Sequence, residues 1–409
     1  MNKHEVLKHY FGYDSFRNNQ EEIIDSLLNG TDTIAILATG GGKSICFQIP
    51  ALMASGITLV ITPLISLMQN QVEELKMRKI KAEYITSEMD YLEISTIMNR
   101  LINNEIKLLY VSPERLENER FRAIFLNLDI SYIIIDEAHC ISIWGNDFRP
   151  SYQQINHLII DLEKRPTIGA FTATANKRVI DDIDKILGLK DINIFKSGFD
   201  RPNLYYGVYK PKNKMNFLLK QLLMHQDEIF IIYTVTRKEA EAVYNKLLDL
   251  NFKVGLYHGG LDSDKKEDCQ KKFMNEQIKI IVATNAFGMG INKPNIRHVI
   301  NYSIPLSLED LSQQSGRCSR DGEEGECLLL FNEDDIRVCE YFIKQTKGFD
   351  KSIQKELIKE KYKQLKSVIS YATTDKCLHH VMLDYFGEMS KNKCFMCSNC
   401  EKKKRHKHN

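Results

Sequence analysis

Short, almost continuous apolar runs recur along the first 180 residues: TIAILAT (33–39), ITLVITP (57–63), KLLYVSP (107–113), YIIIDE (132–137) and IGAFTAT (168–174). Strands with one wet face alternate apolar and polar positions, whereas strands covered on both faces read as unbroken β-branched runs. The segments between these runs carry apolar residues at helical spacing, so the pattern predicts a parallel sheet buried between helices. It pauses at the polar junction SGFDRPNLYY and restarts with EIFIIYT (228–234), KVGLYHG (253–259), IKIIVAT (278–284), HVINYSI (298–304) and ECLLLF (326–331). Two tandem α/β domains are expected, 1–198 and 199–334. Beyond about residue 335 the apolar runs cease, and SIQKELIKEKYKQLKSVISYA predicts a long helix with a solvated charged face. A small, mostly helical third domain, 335–409, follows from this.

Composition narrows the picture in two places. With 56 Lys and Arg against 54 Asp and Glu the net charge is only +2, so any surface for nucleic acid must be local. The basic end EKKKRHKHN is expected to be a solvated tail, or at most a weak phosphate or targeting element. The N-terminus lacks the apolar stretch of a signal peptide and no run reaches membrane length, which predicts a soluble intracellular protein without a membrane partner. Four of the ten cysteines, Cys377, Cys394, Cys397 and Cys400, fall in a C-x16-C-x2-C-x2-C pattern near the C-terminus. Four thiolates suit a tetrahedral structural zinc better than a redox pair, which would need an adjacent βαβ unit. His379 and His380 are then packing or surface residues, since Cys377 already supplies that segment's ligand.

The first run leads into ATGGGKSICFQIP. Thr39, Gly40, Gly41 and Gly42 allow backbone N–H groups to approach phosphate, Lys43 can reach the terminal phosphates, and Ser44 can hold magnesium at a helix N-terminus. The strict phosphate-loop pattern fails at Leu37, which stands where its first glycine would be. Asp136, at the end of the fourth run, can hold the same Mg²⁺ while Glu137 deprotonates the attacking water. A glycine turn or an acidic pair alone is weak evidence; the two together predict an ATP hydrolase.

The series TGGGKS, LVITPLISLMQNQVEEL, YVSPERL, DEAHCISIWGNDFRPSY, FTATA, ATNAFGMGINKPNIRHV and QQSGRCSRDG resembles superfamily 2 helicases, whose motor is two RecA-like domains. With FGYDSFRNNQ and the terminal cysteines, nearly the whole chain resembles the RecQ family of DNA helicases. The resemblance implies that Tyr13, Arg17 and Gln20 recognise adenine, that His139 bridges the γ-phosphate and the second domain, and that Arg317 and Arg320 reach the γ-phosphate. It makes TPLISL (62–67), SPERL (112–116) and ATNAFGMGI (283–291) strand grips, and TAT (172–174) the link between hydrolysis and binding. It likewise makes Trp144, Phe148 and Arg149 part of an exposed aromatic-rich loop that senses single-stranded DNA. Departures are Ile143 and Asn146, where many members carry Gln and His, and Cys318 and Ser319, where the usual pair is Ala-Gly. The implied activity is ATP-, Mg²⁺- and Zn²⁺-dependent 3′ to 5′ movement on single-stranded and forked DNA, by a monomeric motor serving repair or recombination in the cytoplasm or nucleoid, or in a nucleus. A translocase or RNA-acting helicase sharing the motor is the nearer alternative; a non-catalytic scaffold is disfavoured because every motor residue is present. Longer members continue into winged-helix and helicase-and-RNase-D C-terminal domains, so a short form is expected, with translocation more secure than strand separation.

Overall fold

In the computed structural model, which describes all residues except 18, 146, 289–292, 349, 389–392 and 406–409, the TIAIL run becomes β1 (Thr33–Leu37), buried along its whole length. The Asn146 departure, residues 289–291 of the third grip and the end of the basic tail therefore lie outside the described residues. The chain forms two units, Met1–Gly198 and Phe199–Asn409. In the first, β1 is joined by β2 (Ile57–Ile61), β3 (Ala82–Ile85), β4 (Leu108–Val111), β5 (Ile130–Ile135), β6 (Thr167–Thr172) and β7 (Asn193–Ser197) in the order β3-β4-β2-β5-β6-β1-β7. All pairings are parallel, so every C-terminal strand end lies on one edge, where open α/β sheets bind ligands. On one face Ile23, Leu27, Phe47 and Val72, from the helices Gln20–Leu28, Lys43–Met53 and Ile65–Met77, pack on Tyr132, Ile134 and Phe171. The alternate β5 residues Ile133 and Ile135 are fully buried toward the other face.

The second unit repeats the plan with β8 (Leu204–Tyr209), β9 (Phe230–Tyr233), β10 (Val254–Tyr257), β11 (Ile280–Ala283), β12 (His298–Asn301) and β13 (Gly325–Leu330), ordered β10-β11-β9-β12-β13-β8 and again wholly parallel. The helices that follow, Glu333–Lys344, Lys351–Thr373 and Leu378–Phe386, share its core: Leu365, Val368, Tyr371 and Met382 cluster with Leu204, Tyr206 and Cys327. The long charged helix buries only one stripe, Leu365, Val368, Tyr371 and Ala372, which is why it reads as mostly polar. Among the described residues no helix is long and apolar enough to cross a membrane.

Candidate nucleotide, nucleic-acid and metal sites

The glycine-rich turn joins β1 to the helix Lys43–Met53. Gly40 and Gly42 have φ of +87° and +75°, the left-handed region that glycine adopts without a Cβ penalty. A Cβ on Gly42 would also lie 2.3 Å from Gln20 Nε2. Gln20 is almost fully buried, and its amide donates to the carbonyls of Gly42 (3.2 Å) and Gly41 (3.4 Å) while its Oε1 accepts from Arg17 N at 2.8 Å. Gln20 thus braces the phosphate loop directly, a contact its place in FGYDSFRNNQ does not reveal. Tyr13 and Arg17 are exposed, with Tyr13 46% accessible, whereas Phe16 packs against the core.

Strand order decides what faces this turn. β6 separates β5 from β1, so the phosphate loop, Thr172 and the Asp136–Glu137 pair end three consecutive strands. Lys43 Nζ lies 3.4 Å from Glu137 Oε1, and both side chains are largely buried. Glu137 takes a left-handed conformation (φ 49°) and donates its backbone N–H to Asp136 Oδ1 at 3.0 Å. Burial first, then the Glu137 charge, pushes the Asp136 carboxyl up to about 6, against the pull of Lys43. Such a buried carboxylate at a strand end fits a small divalent cation that would supply positive charge. Tyr152 is fully buried and donates its hydroxyl to the Asp136 carbonyl at 2.9 Å, fixing the strand end.

His139 Nδ1 lies 2.9 Å from Thr172 Oγ1, which itself donates to Thr174 O at 3.0 Å. Since the threonine proton is committed, the network assigns the imidazole proton to Nδ1. Glu137 Oε2 is 3.4 Å from the same nitrogen. Burial lowers the His139 pKa below its ordinary value, partly opposed by Glu137. The TAT segment therefore meets the DEAH segment through one hydroxyl. Thr172→Val should leave a buried imidazole N–H unsatisfied and cost about 1–3 kcal/mol; urea unfolding of the variant measures this.

The aromatic segment differs from the exposed loop expected. Trp144 and Phe148 are only partly exposed, and the Arg178 guanidinium lies 4.9 Å from the Trp144 ring centroid. Ser142 accepts from Trp144 N at 3.1 Å and donates to Asp182 at 2.5 Å. Arg178 and Asp182 are one turn apart on the helix Lys177–Leu187, so that helix holds the segment at two points. Sequence spacing carries no sign of this, because the helix lies beyond an intervening strand. Gly145 is needed for closeness: a Cβ there would sit 2.1 Å from the His139 carbonyl oxygen. Arg149 is engaged with Asp147 (3.1 Å), the Pro63 carbonyl (3.1 Å) and Glu114 (3.8 Å). It ties the aromatic segment to TPLISL and SPERL, so its charge is already shared within the unit. Ile143 is partly buried.

In the second unit Arg317 and Arg320 lie just past the helix Leu308–Ser315. Arg317 is buried and donates to the Gly288 carbonyl; Arg320 Nε donates to Gly316 O at 3.3 Å. Burial, then the Arg317 and Arg201 charges, pushes the Arg320 guanidinium down to about 9. Ser319 has φ 44°, a conformation suited to glycine, and its hydroxyl donates to Glu324 O at 3.0 Å while accepting from Arg297 at 3.1 Å. Side-chain hydrogen bonds hold this strained turn where the family usually carries glycine.

The ligand atoms of Cys377, Cys394, Cys397 and Cys400 all lie within 4.8 Å of one another. Tetrahedral zinc with Zn–S bonds of about 2.3 Å separates its sulfurs by about 3.8 Å, so the set fits that ion. Hydrogen bonding from Cys394 pulls the Cys397 thiol below its ordinary value, and the same contact pushes the Cys394 thiol up. Asn399 donates to the carbonyls of Thr374 and Lys376, both at 2.8 Å, drawing the Cys377 segment to the other three. The cluster also seals the edge of the second sheet: Tyr206 N donates to Met396 O at 3.3 Å and Val208 N to Ser398 Oγ at 3.2 Å. His379 is buried with Nε2 3.0 Å from Leu204 O, so it packs against the edge strand.

Three family models match in order: DEAD/DEAH box helicase over residues 17–183, helicase conserved C-terminal domain over 213–322 and RecQ zinc-binding over 333–401. The ATP-dependent DNA helicase RecQ of Bacillus subtilis (strain 168) is 44% identical over 97% of this chain, which spans 66% of that relative's length. A protein of Acanthamoeba polyphaga mimivirus, described as putative ATP-dependent RNA helicase R290, is 38% identical over 97% of this chain and is spanned for 71% of its length. The crystal structure of the DUF1998 helicase MrfA bound to DNA superposes with a TM-score of 0.68 at 17% identity, over 97% of this chain and 60% of that one, and shows the shared fold. With its two RecA-like parallel sheets, its four-cysteine zinc cluster and all three models in sequence, the chain belongs to the RecQ family of helicases.

Proposed function

We propose that this chain is an ATP- and Mg²⁺-dependent DNA helicase that moves 3′ to 5′ on single-stranded DNA, opens forked DNA, and serves repair or recombination inside the cell as a monomeric motor. The observation that carries the reading is the convergence of Lys43, Asp136, Glu137 and the His139–Thr172 pair at three adjacent strand ends. In this reading residues 335–409 form a zinc module built on the second RecA-like domain. Tyr13, Arg17 and Gln20 hold adenine, the loop from Thr39 to Gly42 cradles the phosphates, and Lys43 contacts the terminal ones. Ser44 and Asp136 hold Mg²⁺, which supplies positive charge to the phosphate oxygens. Glu137 Oε takes a proton from the attacking water. Arg317 and Arg320 offer their guanidiniums to the γ-phosphate. Trp144 and Phe148 stack on bases, each stack worth about 1–3 kcal/mol, and Arg149 holds their segment against the two grips.

The test is ATP turnover with and without single-stranded DNA, alongside unwinding of a forked duplex. Strong stimulation in the wild type is expected, with turnover abolished in Lys43→Ala and stimulation selectively reduced in Trp144→Ala. No stimulation, together with an unaffected Lys43→Ala, would overturn the reading. The mimivirus relative described as an RNA helicase motivates a second reading, so RNA belongs beside DNA as activator.

Magnesium dependence gives a pH prediction. Only ionised Asp136 binds the cation, and burial raises its pKa to about 6. Protons should therefore compete as pH falls through 6, raising the Mg²⁺ concentration for half-maximal turnover about fourfold at pH 5.5 relative to pH 7.5. Magnesium titrations at the two pH values check this.

A further inference from the structure

The N-terminal edge of the second sheet, opposite the strand ends that carry the family motifs, holds a cluster that the proposed activity does not use. His298 opens β12, paired across to Phe230 at the start of β9 and to Glu326 near the start of β13. His225 follows the helix Lys214–Met224 as its C-terminal cap. The ligand atoms of His225, His298 and Glu326 all lie within 4.8 Å of one another.

His298 is only 2% exposed. Its ring stacks on Phe230 at 4.3 Å and 10°, with the His225 ring 4.4 Å away. Its Nε2 is hydrogen-bonded to Glu228 Oε2. Its Nδ1 faces Glu326 Oε2 at 3.2 Å, while His225 Nδ1 lies 3.3 Å from Glu228 Oε2. A neutral imidazole that gives one N–H to a carboxylate presents the other nitrogen's lone pair, the usual arrangement of a metal-bound histidine.

We propose that His225, His298 and Glu326 form a second divalent metal site, for an ion of zinc's ligand preference, with Glu228 orienting His298. Two imidazoles and one carboxylate suit zinc-like ions rather than magnesium, which prefers all-oxygen shells. Bonds of about 2.0–2.2 Å would set the ligand atoms about 3.3–3.6 Å apart; His298 Nδ1 and Glu326 Oε2 are already at 3.2 Å, and the partly exposed His225 has room to adjust. The ion would tie a helix end to two neighbouring strands, a structural clip separate from the cysteine cluster.

The experiment uses the untagged full chain with its cysteine cluster zinc-loaded. Zinc is added in excess, unbound ion is removed by gel filtration, and bound metal is counted by elemental analysis. The wild type should hold two ions per chain; His225→Ala and Glu326→Gln, whose side chains are partly exposed and compatible with folding, should each hold one. Cobalt added to the zinc-loaded protein should give weak visible bands without thiolate charge transfer. One ion per chain in the wild type would overturn the proposal in favour of a metal-free ion-pair network. So would a second ion retained by both variants.

Discussion

Glu137→Gln should lower ATP turnover by about 10²–10⁴-fold, the usual contribution of a general base, while nucleotide binding stays close to wild type. The substitution keeps the side chain's volume and one oxygen, so the packing beside Lys43 and His139 survives while the proton acceptor and its negative charge are lost. Glu137 is suited to this role by backbone geometry. Its left-handed φ of 49° lets its N–H bond Asp136 Oδ1, while its two oxygens lie 3.4 Å from Lys43 Nζ and 3.4 Å from His139 Nδ1. Steady-state turnover and binding of a fluorescent nucleotide, measured on the same preparations, separate the two effects. Turnover within a few-fold of wild type would show that another group accepts the proton.

Removing zinc should loosen the second unit as a whole. Zinc binding to thiolate clusters is worth about 10–16 kcal/mol in small peptides, which rivals the total stability of a domain, about 5–15 kcal/mol. Cys377, Cys397 and Cys400 share a buried cluster with Leu204, Tyr206 and Cys327, and the segment around Met396 hydrogen-bonds along β8. Chelation, or Cys397→Ser, should therefore expose the β8 edge and shift the calorimetric transition of residues 199–409 to lower temperature, leaving that of 1–198 nearly in place. Hydrogen exchange at residues 204–209 should rise in parallel. Unchanged protection there would mean that the cluster folds independently of the sheet.

The strands legible in the sequence and those missed differ in one physical respect. The ten apolar runs all became strands, whereas β3, β7 and β8 carried no such signal, and each lies at the edge of its sheet. An edge strand is covered by fewer neighbours and tolerates polar residues. β7, NIFKS, is exposed or partly exposed at four of its five positions, and the LYYGVY of β8 begins inside the polar junction. The zinc segment is what covers that last edge, a partnership between residues almost 200 positions apart.

The phosphate turn, the acidic pair and the four cysteines are determined by sequence alone, because each works through residues close together in the chain, with glycines, charges or thiols that few other roles require. Only the tertiary structure decided what those groups meet. Strand order set Thr172 between the phosphate loop and Glu137, turned Gln20 onto the carbonyls of Gly41 and Gly42, laid Arg178 over Trp144 and brought His225 to His298 and Glu326. These partners are joined by packing across parallel strands whose connections pass through helices, so no local spacing encodes them.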